Sequence, residues 1–208
     1  MGLIAYRKFL ERVNRNSRND NITASKSQFI LLFNEWQQRW VWEVLDGKNE
    51  DNIRLLKILA TTTPTLTPAK ADDCSRYFEL KKDYLDHIDL KVKAKQGTCE
   101  DWIEVHEVKL ENVNVLLNDT HNKPSFPYRD TFYTIEDCAI RIYTNNDFDI
   151  NKVEQTYYRK PKDISIEGEI KPDGVLYSST IEPEWDEVAL TFILDLVASR
   201  FIQNNNIN

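Results

Sequence analysis

The hydrophobic period changes twice along this chain, and that change constrains the fold more than any single motif. Leu3, Tyr6, Leu10 and Val13 recur every three or four residues, the stripe of an amphipathic helix. Residues 15–24 are polar and read as a loop. Ser25 and Gln28 then fit a capping box, in which each side chain satisfies a free amide at a helix start. Phe29, Leu32, Phe33, Trp36, Trp40 and Val44 follow on one face, and Gly47 suits the stop. Trp42 falls off that face. Asn49 can cap a short helix that presents Ile53, Leu56 and Leu59.

From there the period falls to two. Residues 60–70 hold five threonines and two prolines, which suits extended chain or an edge strand. Ile88, Leu90, Val92 and Ala94 alternate with polar residues, as a half-buried strand does. Residues 102–109, 132–135, 139–143, 153–158 and 164–166 alternate similarly. Val113, Leu116 and Leu117 mark one short helix at 111–118. The helical period then returns. Pro183 suits a first helical position, and Glu182, Glu184, Asp186 and Glu187 favour the positive end of the helix dipole. Trp185, Val188, Ala189, Phe192, Leu196 and Val197 form its stripe, which predicts packing on the Phe29–Val44 helix. Leu190, Ile193 or Leu194 would then be left for a partner subunit.

These periods predict an α+β fold. The N- and C-terminal helices form a helical bundle, and a mostly antiparallel β insertion lies between them. The expected boundaries are 1–60 with 181–203 for the bundle, 61–180 for the insertion and 204–208 for a flexible polar tail.

Composition narrows the function. Among 208 residues there are only five glycines, too few for a glycine-rich phosphate loop. No apolar run approaches the roughly 20 residues of a membrane-spanning helix, so no membrane role is expected. The first residues lack the apolar core of a signal peptide, and Tyr6 stands where a myristoylation motif needs Ser or Thr. Cys74, Cys99 and Cys138 form no CxxC pair, which argues against a disulfide framework or a zinc knuckle. Net charge is −7, yet residues 1–26 carry six basic and two acidic side chains. A mostly acidic chain is a poor nucleic-acid binder.

No residues mark chemistry. A Cys99–His106 nucleophile pair lacks any activating context, and His106 with Glu104 or Glu107 lacks HExxH spacing. The carboxylate run at 182–187 is explained by its place at a helix start. No catalytic, cofactor-binding or metal-ligating residue is expected, and no enzyme activity. Aromatics at Phe126, Tyr128, Phe132, Tyr133, Tyr157 and Tyr158 allow a sugar-stacking platform on a binding module, the alternative reading. Trp42, off the core stripe, suits a subunit interface, where Trp is enriched.

The middle of the chain carries Leu80, Asp83-Tyr84-Leu85, Lys123-Pro124-Ser125, Ile140-Arg141-Ile142-Tyr143 and Tyr157-Tyr158-Arg159-Lys160-Pro161 in order. This succession resembles virion neck proteins of tailed bacteriophages, above all the ring proteins of crAss-like phages. Its layout is similar to the tail tubular protein A of short-tailed phages, and the likeness covers roughly residues 25–203. The resemblance implies a non-enzymatic head–tail connector in the virion, assembled in the host cytoplasm. Its subunits would form a dodecameric ring beneath the portal protein and continue the DNA channel without binding DNA specifically. They would also dock further ring proteins or fibres. On this reading Trp42, Arg12, Arg15 and the tail residues Gln203, Asn204, Asn205 and Asn206 are the expected contacts with the portal or a neighbouring subunit. The basic first helix would meet the acidic remainder of the next copy.

Overall fold

The capping box at the second helix is present as read. Ser25 Oγ accepts the Gln28 N–H and Gln28 Oε1 accepts the Ser25 N–H, both at 3.1 Å. The computed structural model describes residues 3–16, 23–47, 50–66, 68–72 and 74–206. The proposed Asn49 cap, most of the loop at 15–24 and the end of the tail lie outside them. Helix α1 spans Leu3–Asn16, α2 spans Lys26–Leu45 and α4 spans Glu187–Asn206. A 3₁₀ helix, Glu50–Leu59, follows α2. Gly47 ends α2 with φ of 74°, a left-handed conformation that costs glycine little.

One unit of the chain comprises 1–59 and 160–208, the other 60–159. Residues 160–180, which alternation assigns to the insertion, group with the helices. The cause lies in α2, whose Asn34 and Gln37 bind the backbone of Ile164 and Lys162.

In the helical unit, α4 packs on both α1 and α2. Tyr6, Phe9, Phe29, Phe33 and Phe201 form an aromatic chain with centroids 5.0–6.4 Å apart. Trp40 meets Trp185 edge-on at 5.3 Å near the other end of α2. Burial of each large side chain stabilises by about 1.5–3 kcal/mol. The double contact rotates the buried face of α4. Ala189, Ile193, Leu194, Val197, Ala198 and Phe201 are buried, whereas Val188 and Phe192 are exposed. Ile193 and Leu194 are therefore core residues, not the ones left for a partner.

The start of α4 also differs from the sequence reading. Asp186, not a helical Pro183, begins it, because Asp186 Oδ1 accepts the Ala189 N–H at 2.8 Å. At the other end, α4 continues through Gln203–Asn206, and Asn205 Nδ2 donates to Phe201 O at 2.8 Å. Residues 204–206 of the expected flexible tail are thus helical.

The second unit is an eight-stranded sheet in the order β1-β8-β4-β5-β6-β7-β3-β2. The strands are β1 Ala60–Leu66, β2 Lys70–Ala71, β3 Ser75–Glu79, β4 Tyr84–Gln96, β5 Cys99–Glu107, β6 Asp130–Glu136, β7 Ala139–Tyr143 and β8 Asp149–Arg159. Every pairing is antiparallel except β5 with β6. The proline-containing segment is an edge strand, β1, as its composition requires. Gly97, with φ of 61°, opens the two-residue turn between β4 and β5.

The sheet curls so that its inner faces meet. Val92, Ala94 and Val153 from one half share a core with Phe78, Ile140 and Ile142 from the other. Helix α3, Val113–Asn118, covers the outer face, where Val113 packs with Phe132 and Tyr143. Ile88, expected inside, is exposed, because the ladder with β8 shifts register between His87 and Asp89.

Candidate interaction surfaces

In the helical unit the expected docking residues separate into distinct places. Arg12 is engaged within the chain, its Nε 2.6 Å from Asp195 Oδ1 and its Nη1 donating to Lys8 O. Lys8 pairs with Glu187 at 3.3 Å. Part of the basic face of α1 therefore neutralises α4 rather than facing outward. Arg15 is exposed in the last turn of α1. Gln203 Oε1 accepts from Arg200 at 2.9 Å, and Asn204 and Asn205 are exposed. Asn206 ends α4.

Trp42 is 49% exposed near the C-terminal end of α2. The start of α2 joins Phe9, which meets Phe201, while its end meets Trp185, so α2 and α4 run antiparallel. Trp42 and the end of α4 thus lie at opposite ends of the unit, about 20 Å apart along α2.

One exposed apolar surface of this unit escaped the sequence reading. Residues 165–181 form a small hairpin held by bridges between Ser165 and Ile181 and between Ile170 and Leu176. Ser27 Oγ donates to Glu169 at 2.7 Å, and Asn34 exchanges two hydrogen bonds with Ile164. The hairpin so fixed displays Ile170, 58% exposed, and Leu176, 57% exposed, with Val175 and Leu31 also outward. Between it and α2 lies a groove of about 420 Å³, in which Ile30, Leu31, Ile170, Pro172 and Tyr177 alternate with polar residues such as Asn34, Asp163 and Lys171. Apolar residues in a polar turn leave too weak a period to signal such a surface.

In the sheet unit, β4 and β5 part company. They pair from Gln96–Cys99 to Val92–Ile103. Upstream of that point β4 pairs only with β8, and downstream β5 pairs only with β6. A cleft of about 380 Å³ opens where they separate, between Asp89–Lys91 and Trp102–His106. On β8, opposite Leu90, Gln155 is fully buried, and its carboxamide has no hydrogen-bond partner among the described residues. His87, whose ring lies 5.4 Å from Tyr133, is kept neutral by burial, which lowers its pKa. Glu107, Asp89 and Asp86 oppose that shift. Burial also pushes Tyr84 and Tyr157 up to about 12.

At the β3–β7 end, Arg141 lies between the rings of Tyr77 and Tyr143, at 5.0 and 4.9 Å. Its Nη2 reaches Asp72 at 3.1 Å, and its Nε donates to Ser75 Oγ at 2.9 Å. Burial raises the Asp72 pKa, but hydrogen bonds from Ser75 and Cys74 and the Arg141 charge outweigh it and hold the carboxyl low.

The residues considered for chemistry do not converge. Cys99 and His106 occupy opposite ends of β5, about 23 Å apart at the rise of a strand. His106 instead faces Asp130 at 3.2 Å. Among the described residues no three His, Cys, Asp or Glu side chains cluster as a metal site. The carboxylates at 182–187 have structural tasks, since Glu184 accepts the Lys162 N–H and Glu187 pairs with Lys8. The aromatic platform is not formed. Phe132, Tyr133 and Tyr157 are buried, and Tyr128 alone stands well out. Among the described residues no helix is long and apolar enough to cross a membrane.

Neither a protein-family model nor a curated protein sequence matches this chain. Its established description is therefore structural: an α+β protein in which a mostly antiparallel sheet is inserted between helical segments from both ends of the chain.

Proposed function

We propose that this protein is a structural subunit of a ring in the neck of a tailed bacteriophage, below the portal. The helices from both ends of the chain form the bundle that assembles, and the β insertion serves as a platform for further tail components. The observation that carries this reading is the apolar surface of the helical unit. Ile170, Val175, Leu176 and Leu31 on one side, and Trp42, Val188 and Phe192 elsewhere, are exposed. Apolar surface of that extent on a well-packed unit favours a protein–protein interface. A cyclic ring needs two different, complementary patches on each subunit, and the hairpin and the Val188–Phe192 stripe supply two. Arg15, like Arg7, is an exposed basic residue of α1 open to an acidic neighbour, since Arg12 already holds Asp195 and Lys8 holds Glu187. Gln203–Asn206, the last turn of α4, would dock on the portal. The resemblance of the motif order to neck proteins supports this reading.

The test is the oligomeric mass of a triple variant, Leu31→Ser, Ile170→Ser and Leu176→Ser, by light scattering. Exposed sites tolerate such changes within about 0.5 kcal/mol each, so the variant folds. The wild-type chain is expected to form rings, alone or on the portal, and the variant to remain monomeric at tenfold higher concentration. Identical masses for both under every condition would contradict the proposal.

A further inference from the structure

The parting of β4 and β5 leaves two strand edges facing one another, and this feature is independent of how the helices assemble. The hydrogen-bond pattern shows which backbone groups are involved. Glu104 N–H donates to Arg129 O and Val108 N–H to Tyr133 O, both 2.9 Å. By the alternation of a strand, Glu104, His106 and Val108 serve β6, so the N–H and C=O of Val105 and Glu107 point toward β4. The same alternation, carried upstream from the Val92–Ile103 pair, turns the backbone of Leu90 toward β5. No strand among the described residues pairs with either edge there.

The space between is shaped for a chain. It spans three residues of β4 and five of β5, and the apolar part of its lining is Leu90, Ile103 and Val105. Trp102, 43% exposed, stands at its outer lip. Its lining carries Asp89 and Glu104 beside Lys91, and Asp86 and Glu107 follow just beyond it on the same two strands. Glu107, Asp89 and Asp86 all bear on the His87 side chain, so these carboxylates gather upstream of the parting. Lys91 is the lysine of the lining, and His106 is turned to Asp130.

We propose that this cleft is a strand-addition site for an extended, lysine- or arginine-bearing peptide segment of a partner protein. The segment pairs with the Val105 and Glu107 backbone of β5. It sets an apolar side chain against Leu90 and Val105, and its basic side chains lie among the four carboxylates. Backbone pairing supplies the affinity, and charge selects the partner.

The probe is the synthetic peptide acetyl-TKVKVT-amide, titrated into the ¹⁵N-labelled full chain at low salt. The amides of Val105 and Glu107 are expected to shift and to gain protection from hydrogen exchange. A peptide with Glu in place of Lys, and one N-methylated at alternate residues, are expected to bind at least tenfold more weakly. The N-methylated probe removes pairing without altering the protein, so misfolding cannot mimic the result. A Glu104→Lys, Glu107→Lys variant should prefer the acidic peptide. Unmoved Val105 and Glu107 amides, or equal affinity for the acidic peptide, would overturn the proposal. Shifts of the same amides with protein concentration alone would assign the edge to a second copy and overturn the partner named here.

Discussion

Trp185 donates its indole N–H to the side-chain oxygen of Gln37 at 3.0 Å, and both residues are buried. The Gln37 amide nitrogen donates onward to Asn34 Oδ1 at 3.2 Å and Lys162 O at 3.1 Å. One carboxamide thereby joins α2, the segment before α4 and the start of the 160–181 segment. Gln37→Leu keeps volume but orphans the indole N–H and the Lys162 carbonyl. It is expected to cost about 2–4 kcal/mol, since each unsatisfied buried group costs about 1–3 kcal/mol. A urea-unfolding cycle with Trp185→Phe checks the link, with an expected coupling of about 0.5–3 kcal/mol. Additive losses would show that the two side chains act separately.

The capping box gives a smaller and cleaner effect. Ser25→Ala leaves the Gln28 N–H without its acceptor at the start of α2. The expected loss is about 1 kcal/mol, read as a lower urea midpoint with unchanged slope.

Asp72 makes the sheet unit acid-sensitive. Its folded pKa lies below the ordinary 3.8, so the unfolded chain binds the proton more readily. The stabilisation is present above pH 4 and is lost as pH falls through the folded value. Asp72→Asn should flatten this part of the stability–pH curve below pH 4 and lower stability near pH 7. A variant curve parallel to wild type would remove Asp72 from the account.

His87 acts in a higher window. Burial lowers its folded pKa below the ordinary 6.5, so protonation favours the unfolded chain. Stability is full above pH 6.5 and declines as pH falls below it. His87→Gln should lose less stability than wild type between pH 7 and 5, measured by urea unfolding at each pH. Equal losses would show that the histidine is solvated.

Much of the fold is legible because local rules and packing agree. Ser25 and Gln28 announce α2, the threonines and Pro64 announce an edge strand, and Leu90, Val92 and Ala94 alternate as they are buried. The misses come from tertiary choices. Several faces of α4 are apolar, and only contact with both α1 and α2 decides that Ile193 is buried and Phe192 exposed. Ile88 follows the alternation but is turned out by a register shift that leaves no mark in composition. The hairpin at 165–181 is short and mixed in polarity, and its position depends on Asn34 and Gln37, more than 120 residues away. The strand-addition cleft was hidden for a similar reason, since the parting of β4 and β5 is a property of pairing partners rather than of either strand.

The most direct measurement of the ring proposal is negative-stain electron microscopy of the purified chain, alone and mixed with a portal protein from the same genome. The account predicts closed rings, or a new tier seated on the portal, lost in the Leu31→Ser, Ile170→Ser, Leu176→Ser variant. Dispersed particles of single-chain size that leave the portal undecorated at high concentration would contradict it.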